Sequence, residues 1–144
     1  MSKILIIEDD SAVLDNMSYF LEELGYQVVT AQNGRQGLIL VHSESPDLVI
    51  TDLRMPVVDG FQVVKEVIRY EPELTVVVIS GTGHIKTAVE ASRIGAWDFV
   101  VKPVLDMGVV EHVIERALER SRLLKENRCH KEQLEQFEFD DIHR

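Results

Sequence analysis

The sequence predicts a doubly wound α/β domain, a parallel sheet with helices on both faces, with an extended C-terminal helix. Three observations carry that prediction. Five strand-like runs, within 4–7, 26–31, 47–52, 75–80 and 96–101, alternate with stretches whose apolar residues recur every three or four positions. The strongest runs, Ile4-Leu5-Ile6-Ile7, Leu48-Val49-Ile50 and Val76-Val77-Val78-Ile79, are continuously aliphatic, as strands covered on both faces must be. Four of the five end in residues that carry chemistry, and a parallel sheet gathers its strand ends along one edge.

The chain has 144 residues, enough for one domain with an added segment. With 28% charged and 45% hydrophobic residues it has the balance of a globular chain. A formal net charge of −10, with no Lys/Arg cluster, argues against direct nucleic-acid binding. The single cysteine, Cys129, cannot form an internal disulfide and is read as a bystander thiol in a reducing cytosol. The apolar run after Met1-Ser2-Lys3 is four residues long, too short for a signal-peptide core or a membrane span, so a cytoplasmic location and no membrane association are expected.

Each element has a local cause. Ile4–Ile7 is bounded by Lys3 and by Glu8-Asp9-Asp10. Ser11 is the expected cap of a helix carrying Val13, Leu14, Met17, Phe20, Leu21 and Leu24, which Gly25 stops. A short strand follows at 26–31, and Asn33-Gly34 opens a second helix that has ended by Ser45-Pro46. The central strand, Asp47–Asp52, breaks into Leu53-Arg54-Met55-Pro56, and Asp59-Gly60 leads into a third helix from Phe61 to about Tyr70. Thr75–Ser80 is the strongest strand, and the loop Gly81-Thr82-Gly83-His84 leads to a helix from about Ile85 to Ile94, stopped by Gly95. A fifth strand, Ala96–Val101, ends at Lys102-Pro103.

From about Leu105 a helical stretch runs to about Phe137 with no Gly or Pro after Gly108. Val109, Val110, Val113, Ile114, Ala117 and Leu118 suit packing on the sheet. Beyond Ser121 the apolar positions thin to Leu123, Leu124, Leu134 and Phe137, and Arg122/Glu126, Arg128/Glu132 and Lys131/Glu135 are spaced for i,i+4 pairs. The expected division is therefore a domain over 1–120 and a helical extension over 121–144, read as a solvated tail, a dimerising segment or a connector to an output domain.

Glu8-Asp9-Asp10, Asp52, Ser80 and Lys102 converge on one edge in such a sheet. Clustered carboxylates repel one another, and a hard divalent cation with oxygen ligands, Mg²⁺ above all, relieves that repulsion. Asp52 can then act as nucleophile on phosphorus, with Lys102 pairing a phosphoryl oxygen and Ser80 donating a hydrogen bond.

On these residues the sequence resembles the response-regulator receiver domain, the CheY-like module of two-component signalling, over roughly Lys3 to Leu118. The matching motifs are Ile6-Ile7-Glu8-Asp9-Asp10, Asp47 to Pro56 with Asp59-Gly60, the strand ending Ser80-Gly81, and Phe99-Val100-Val101-Lys102-Pro103. The resemblance implies a flavodoxin-like sheet with strand order 2-1-3-4-5 and a phosphorylation-activated switch rather than a turnover enzyme. It makes Asp52 the phosphoacceptor and Glu8 and Asp9 the acidic pair, with Asp9 the more direct Mg²⁺ ligand, Asp10 the less fitting one, and the Arg54 main-chain carbonyl completing the shell. It also implies Ser80 and Phe99 as a coupled switch and Lys102 as the phosphate-binding lysine before a commonly cis proline, here Pro103. Arg54 and Thr82 flank the acceptor and would tune acyl-phosphate lifetime. Phe99 lacks the hydroxyl of the tyrosine often found there. The implied partner is a histidine kinase or histidine phosphotransfer protein, with an output domain or a homodimer through the C-terminal helix beyond it.

Two other readings use the same residues. A haloacid-dehalogenase-type phosphatase also has an aspartyl nucleophile at a strand end, but its general acid is an Asp two residues later, where this chain has Arg54. A phosphorylation-independent pseudo-receiver would act as a protein-binding adaptor, though every chemical position is filled here. His42, His84, His112, His130 and His143 lack ligand-like spacing and are read as surface residues. Gly81-Thr82-Gly83 does not extend into a nucleotide-binding pattern, and Trp97 is read as packing.

Overall fold

The computed structural model describes residues 2–55, 57–81, 84–102 and 107–142, with the side chains of the last helix described over 108–127. Among the described residues five strands and five helices alternate: β1 (Lys3–Ile7), α1 (Ser11–Glu23), β2 (Gln27–Ala31), α2 (Gly34–Glu44), β3 (Leu48–Asp52), α3 (Gly60–Tyr70), β4 (Thr75–Ser80), α4 (Ile85–Arg93), β5 (Asp98–Val101) and α5 (Met107–Ile142). The strands form one parallel sheet in the order β2-β1-β3-β4-β5. This is the doubly wound, CheY-like arrangement expected.

Alternate residues of each strand feed opposite faces. On one face Leu5, Ile7, Val49, Val76 and Val78 pack with Val41 of α2, Val63, Val64 and Val67 of α3 and Ala91 of α4. On the other, Ile4, Ile6, Leu48, Ile50, Val77 and Ile79 pack with Leu14, Met17 and Leu21 of α1 and Val110, Ile114 and Ala117 of α5. Burial on both faces is why β1, β3 and β4 read as unbroken aliphatic runs.

The ends of the elements differ from the sequence expectation in ways with identifiable causes. Asp10, not Ser11, caps α1: its carboxylate accepts from the amides of Ala12 at 3.0 Å and Val13 at 3.3 Å, leaving Ser11 as the first helical residue. A carboxylate satisfies two free amides and also suits the positive end of the helix. β2 starts one residue late because the Tyr26 amide turns back to the Leu21 carbonyl at 3.1 Å, a turn made by Gly25 at φ 96°. β5 starts at Asp98 for the same reason: the Ala96 amide closes α4 onto the Ala91 carbonyl behind Gly95. Asn33 and Asp59 cap α2 and α3 through the amides of Gln36 and Gln62. The last helix begins at Met107 and continues to Ile142, beyond the expected end at Phe137. Trp97 is half-buried against the α1/α5 side of the sheet with the Arg116 guanidinium over its ring, which is the packing role expected. Among the described residues no helix is long and apolar enough to cross a membrane. The expected pairs Arg128/Glu132 and Lys131/Glu135, and Cys129, His130, Leu134, Phe137 and His143, lie outside the described side chains.

Candidate functional site at the carboxyl edge of the sheet

The site is built where β1, β3, β4 and β5 end. β3 delivers Asp52 as its last residue, 8% exposed. β1 ends one residue before Glu8, which is 3% exposed, with Asp9 exposed beside it. β4 ends in Ser80, fully buried, and Lys102 follows the last residue of β5. The Lys102 amide donates to the Ser80 carbonyl at 2.7 Å, so the ends of β4 and β5 are tied together at the site.

The side chains converge accordingly. One carboxylate oxygen from each of Glu8, Asp9 and Asp52 lies within 4.8 Å of the other two, the one such group of acids, histidines or cysteines among the described residues. An all-oxygen donor set of three carboxylates fits a hard divalent cation such as Mg²⁺. The Lys102 ammonium bridges two of the acids, 2.7 Å from Glu8 Oε2 and 3.2 Å from Asp52 Oδ2. Asp52 Oδ1 accepts the Leu53 amide at 2.8 Å and Glu8 Oε1 accepts the Asp10 amide at 3.2 Å. Burial raises the Glu8 pKa, and the Asp52 charge raises it further, against the opposing pull of Lys102. For Lys102, burial acts to lower the pKa, but the hydrogen bond to Glu8 and the charges of Asp52 and Glu8 outweigh it, and the net shift is upward. The ammonium is therefore held charged between the two acids.

Several residues that make this geometry carry no chemistry of their own. A side chain at Gly60 would collide with the Asp52 carbonyl and come within 2.6 Å of the Leu53 Cα, so only glycine lets α3 start this close to the acceptor strand. The Gly60 amide uses that proximity to donate to the Leu53 carbonyl at 2.9 Å. Thr51 Oγ1 donates to the Asp52 carbonyl at 2.9 Å within the core. The sequence marked Asp59-Gly60 as the lead into the third helix, but neither the close approach of Gly60 nor the Thr51 bond was signalled there. Asp10 caps α1 through one of its carboxylate oxygens. Arg54 stands exposed in the loop after β3, and Phe99 is half-buried on β5, packed toward the α2/α3/α4 side. Phe99 lies two residues before Val101, the register partner of Ser80. Thr82 and Pro103 lie outside the described residues.

A family model for the response regulator receiver domain matches residues 4–115. The chain belongs to the response regulator receiver domain family. Its curated relatives include the transcriptional regulatory protein GlrR of Escherichia coli strain K12, 38% identical over 82% of this chain and 26% of GlrR. The regulatory protein AtoC of the same strain is 35% identical over 89% of this chain and 28% of AtoC. The receiver chain thus spans about a quarter of the length of these relatives. Among solved structures, a response regulator receiver domain protein from Clostridium thermocellum superposes with a TM-score of 0.81 at 33% identity, over 86% of this chain and 99% of that one. NtrX from Brucella abortus, solved in complex with ADP, gives a TM-score of 0.82 at 35% identity, over 90% of this chain and 29% of NtrX. As a receiver domain, the chain is a switch of two-component signalling.

Proposed function

We propose that this receiver accepts a phosphoryl group on Asp52 from a phosphohistidine of a partner kinase or phosphotransfer protein, in a reaction that requires Mg²⁺. The observation that carries the proposal is the meeting of three carboxylates and one ammonium at a single sheet edge, with Asp52 at the tip of the central strand. Glu8, Asp9, Asp52 and the Arg54 main-chain carbonyl would hold the Mg²⁺, which when bound neutralises charge on the transferring group. A carboxylate oxygen of Asp52 attacks phosphorus, the phosphorus–nitrogen bond to the imidazole breaks, and an acyl phosphate results. Lys102 turns from the acids to a phosphoryl oxygen, and the Ser80 hydroxyl donates to another.

Drawing Ser80 toward the phosphoryl group frees space beside β4 and β5 into which Phe99 rotates, and the surface around α4 and β5 changes with it. Arg54 and Thr82 would set the lifetime of the acyl phosphate from its approach side. We read residues 1–120 as the receiver and 121–144 as an extension that passes the signal to an output segment or pairs with a second copy. The setting is cytoplasmic, and turnover is limited to self-phosphorylation and slow hydrolysis. Incubation with a small acyl phosphate and Mg²⁺ tests the chemistry: one phosphoryl group that hydroxylamine removes is the result expected. A hydroxylamine-stable adduct on a serine or threonine would contradict it.

A further inference from the structure

The edge of the sheet opposite Asp52 holds a second polar constellation, made where α5 runs past the start of β4. The apolar stripe by which α5 packs on the sheet, Val110, Ile114 and Ala117, continues at the same spacing into Ser121, a hydroxyl where the pattern calls for another apolar residue. Ser121 is 2% exposed, and its Oγ donates to Thr75 Oγ1 at 2.7 Å. Arg120 Nη1 donates to the same oxygen at 3.0 Å. One turn further, Lys125 Nζ reaches Asp47 Oδ1 at 3.2 Å. The other oxygen of Asp47 accepts the Lys3 amide at 2.8 Å, so a single carboxylate ties the start of β1 to the second half of α5.

The Ser121–Thr75 contact is buried, and the exposed Lys125–Asp47 pair lies along an open groove beside it. A space of about 630 Å³, lined in part by Ser2, Tyr26, Glu115 and Leu118, lies between the helix and the sheet edge. Directional bonds here add a fixed axis to the apolar burial of α5, which alone tolerates sliding.

We propose that Thr75 and Ser121, with Asp47 and Lys125, form a basal clamp that sets the direction in which α5 leaves the sheet and makes residues up to Lys125 part of the receiver's rigid body. Its use in signalling rests on the proposed reading that α5 carries the output; its structural action does not. From Ser121 to Ile142 the helix runs about 30 Å at 1.5 Å per residue, so a small tilt at the clamp becomes a large displacement at the far end. Thr75 and Ser80 are the two ends of β4, so the strand whose tip meets the phosphoryl group also anchors the helix.

Amide hydrogen exchange on the full chain tests this with two variants, Thr75→Val combined with Lys125→Met, and Ser121→Ala alone. In the double variant the amides of residues 122–127 should exchange about ten-fold faster than in wild type, and by less in Ser121→Ala, while β1 and β3 keep their protection. Unchanged exchange at 122–127 would overturn the clamp. So would an equal loss across the strands in both variants, because the contacts would then serve the sheet and not the helix. Phosphoryl uptake by wild type is read in parallel: its failure would defeat the proposed function and leave the exchange result standing.

Discussion

Lys102 sits closer to Glu8 than to Asp52, 2.7 Å against 3.2 Å, although Asp52 is the residue on which the site is centred. Glu8 is the more buried of the two acids, and that burial works against its ionised form. The lysine thus holds two carboxylates together where they would otherwise repel, and it lies within reach of both.

Removing that charge should be costly in a way that a divalent cation reverses. Lys102→Met leaves two buried acids without their cation, and urea unfolding at neutral pH in the presence of a chelator should show a loss of about 3 kcal/mol. Added Mg²⁺ should restore a larger part of stability in the variant than it adds to wild type, because the cation occupies the same field. Equal Mg²⁺ effects on the two proteins would contradict the shared role.

The raised pKa of Glu8 fixes the sign of a pH effect. The native state holds the Glu8 proton more tightly than the unfolded chain, whose carboxyl titrates near 4.5. This group's contribution to stability is then fully present below pH 4.5 and is lost as pH rises through its elevated native value. Measured in chelator, the unfolding free energy of wild type minus that of Glu8→Gln should increase as pH falls from neutrality to below 4.5. A difference that decreases over that range would contradict the assignment.

Gly60 makes a test that is independent of charge. Gly60→Ala places a methyl against the Asp52 carbonyl and the Leu53 backbone, neither of which can rotate away. A loss of about 2–4 kcal/mol in denaturant unfolding is expected, with slower phosphoryl uptake in whatever fraction folds.

Val57 is a non-glycine residue with φ at 72°, and its side chain is 86% exposed, so its strain is not offset by burial. A β-branched residue in this region costs about 1–2 kcal/mol, whereas asparagine adopts it readily. Val57→Asn should raise the melting temperature, corresponding to a gain of about 0.5–1 kcal/mol. A lower melting temperature would show that the exposed isopropyl group has a contact that the strain accompanies.

The fold was legible because its signals are redundant. Ile4–Ile7, Leu48–Ile50 and Val76–Ile79 state burial on both faces, and the helices between them repeat at helical spacing, so parallel order and convergent strand ends follow. The convergence of Glu8, Asp52 and Ser80 was legible for the same reason, since each closely follows such a run, and Lys102 follows the shorter Phe99-Val100-Val101. What the sequence left open depended on which of several equivalent groups reaches a partner first. Asp10 and Ser11 are both good caps, and the choice was settled by the extended backbone at Asp10. The bridge from Lys102 to Glu8 spans 94 positions and depends on side-chain reach, which no local pattern encodes. The hold of Ser121 on Thr75 was masked because a serine on an otherwise apolar stripe reads as the end of packing, although here it continues it.

The most direct measurement is the intact mass of wild type and Asp52→Asn after exposure to a small phosphoryl donor, each with Mg²⁺ and with a chelator. The site predicts one phosphoryl adduct on wild type with Mg²⁺ and none in the other three samples. An adduct that survives in Asp52→Asn, or that forms equally in chelator, would contradict a Mg²⁺-dependent acceptor at Asp52.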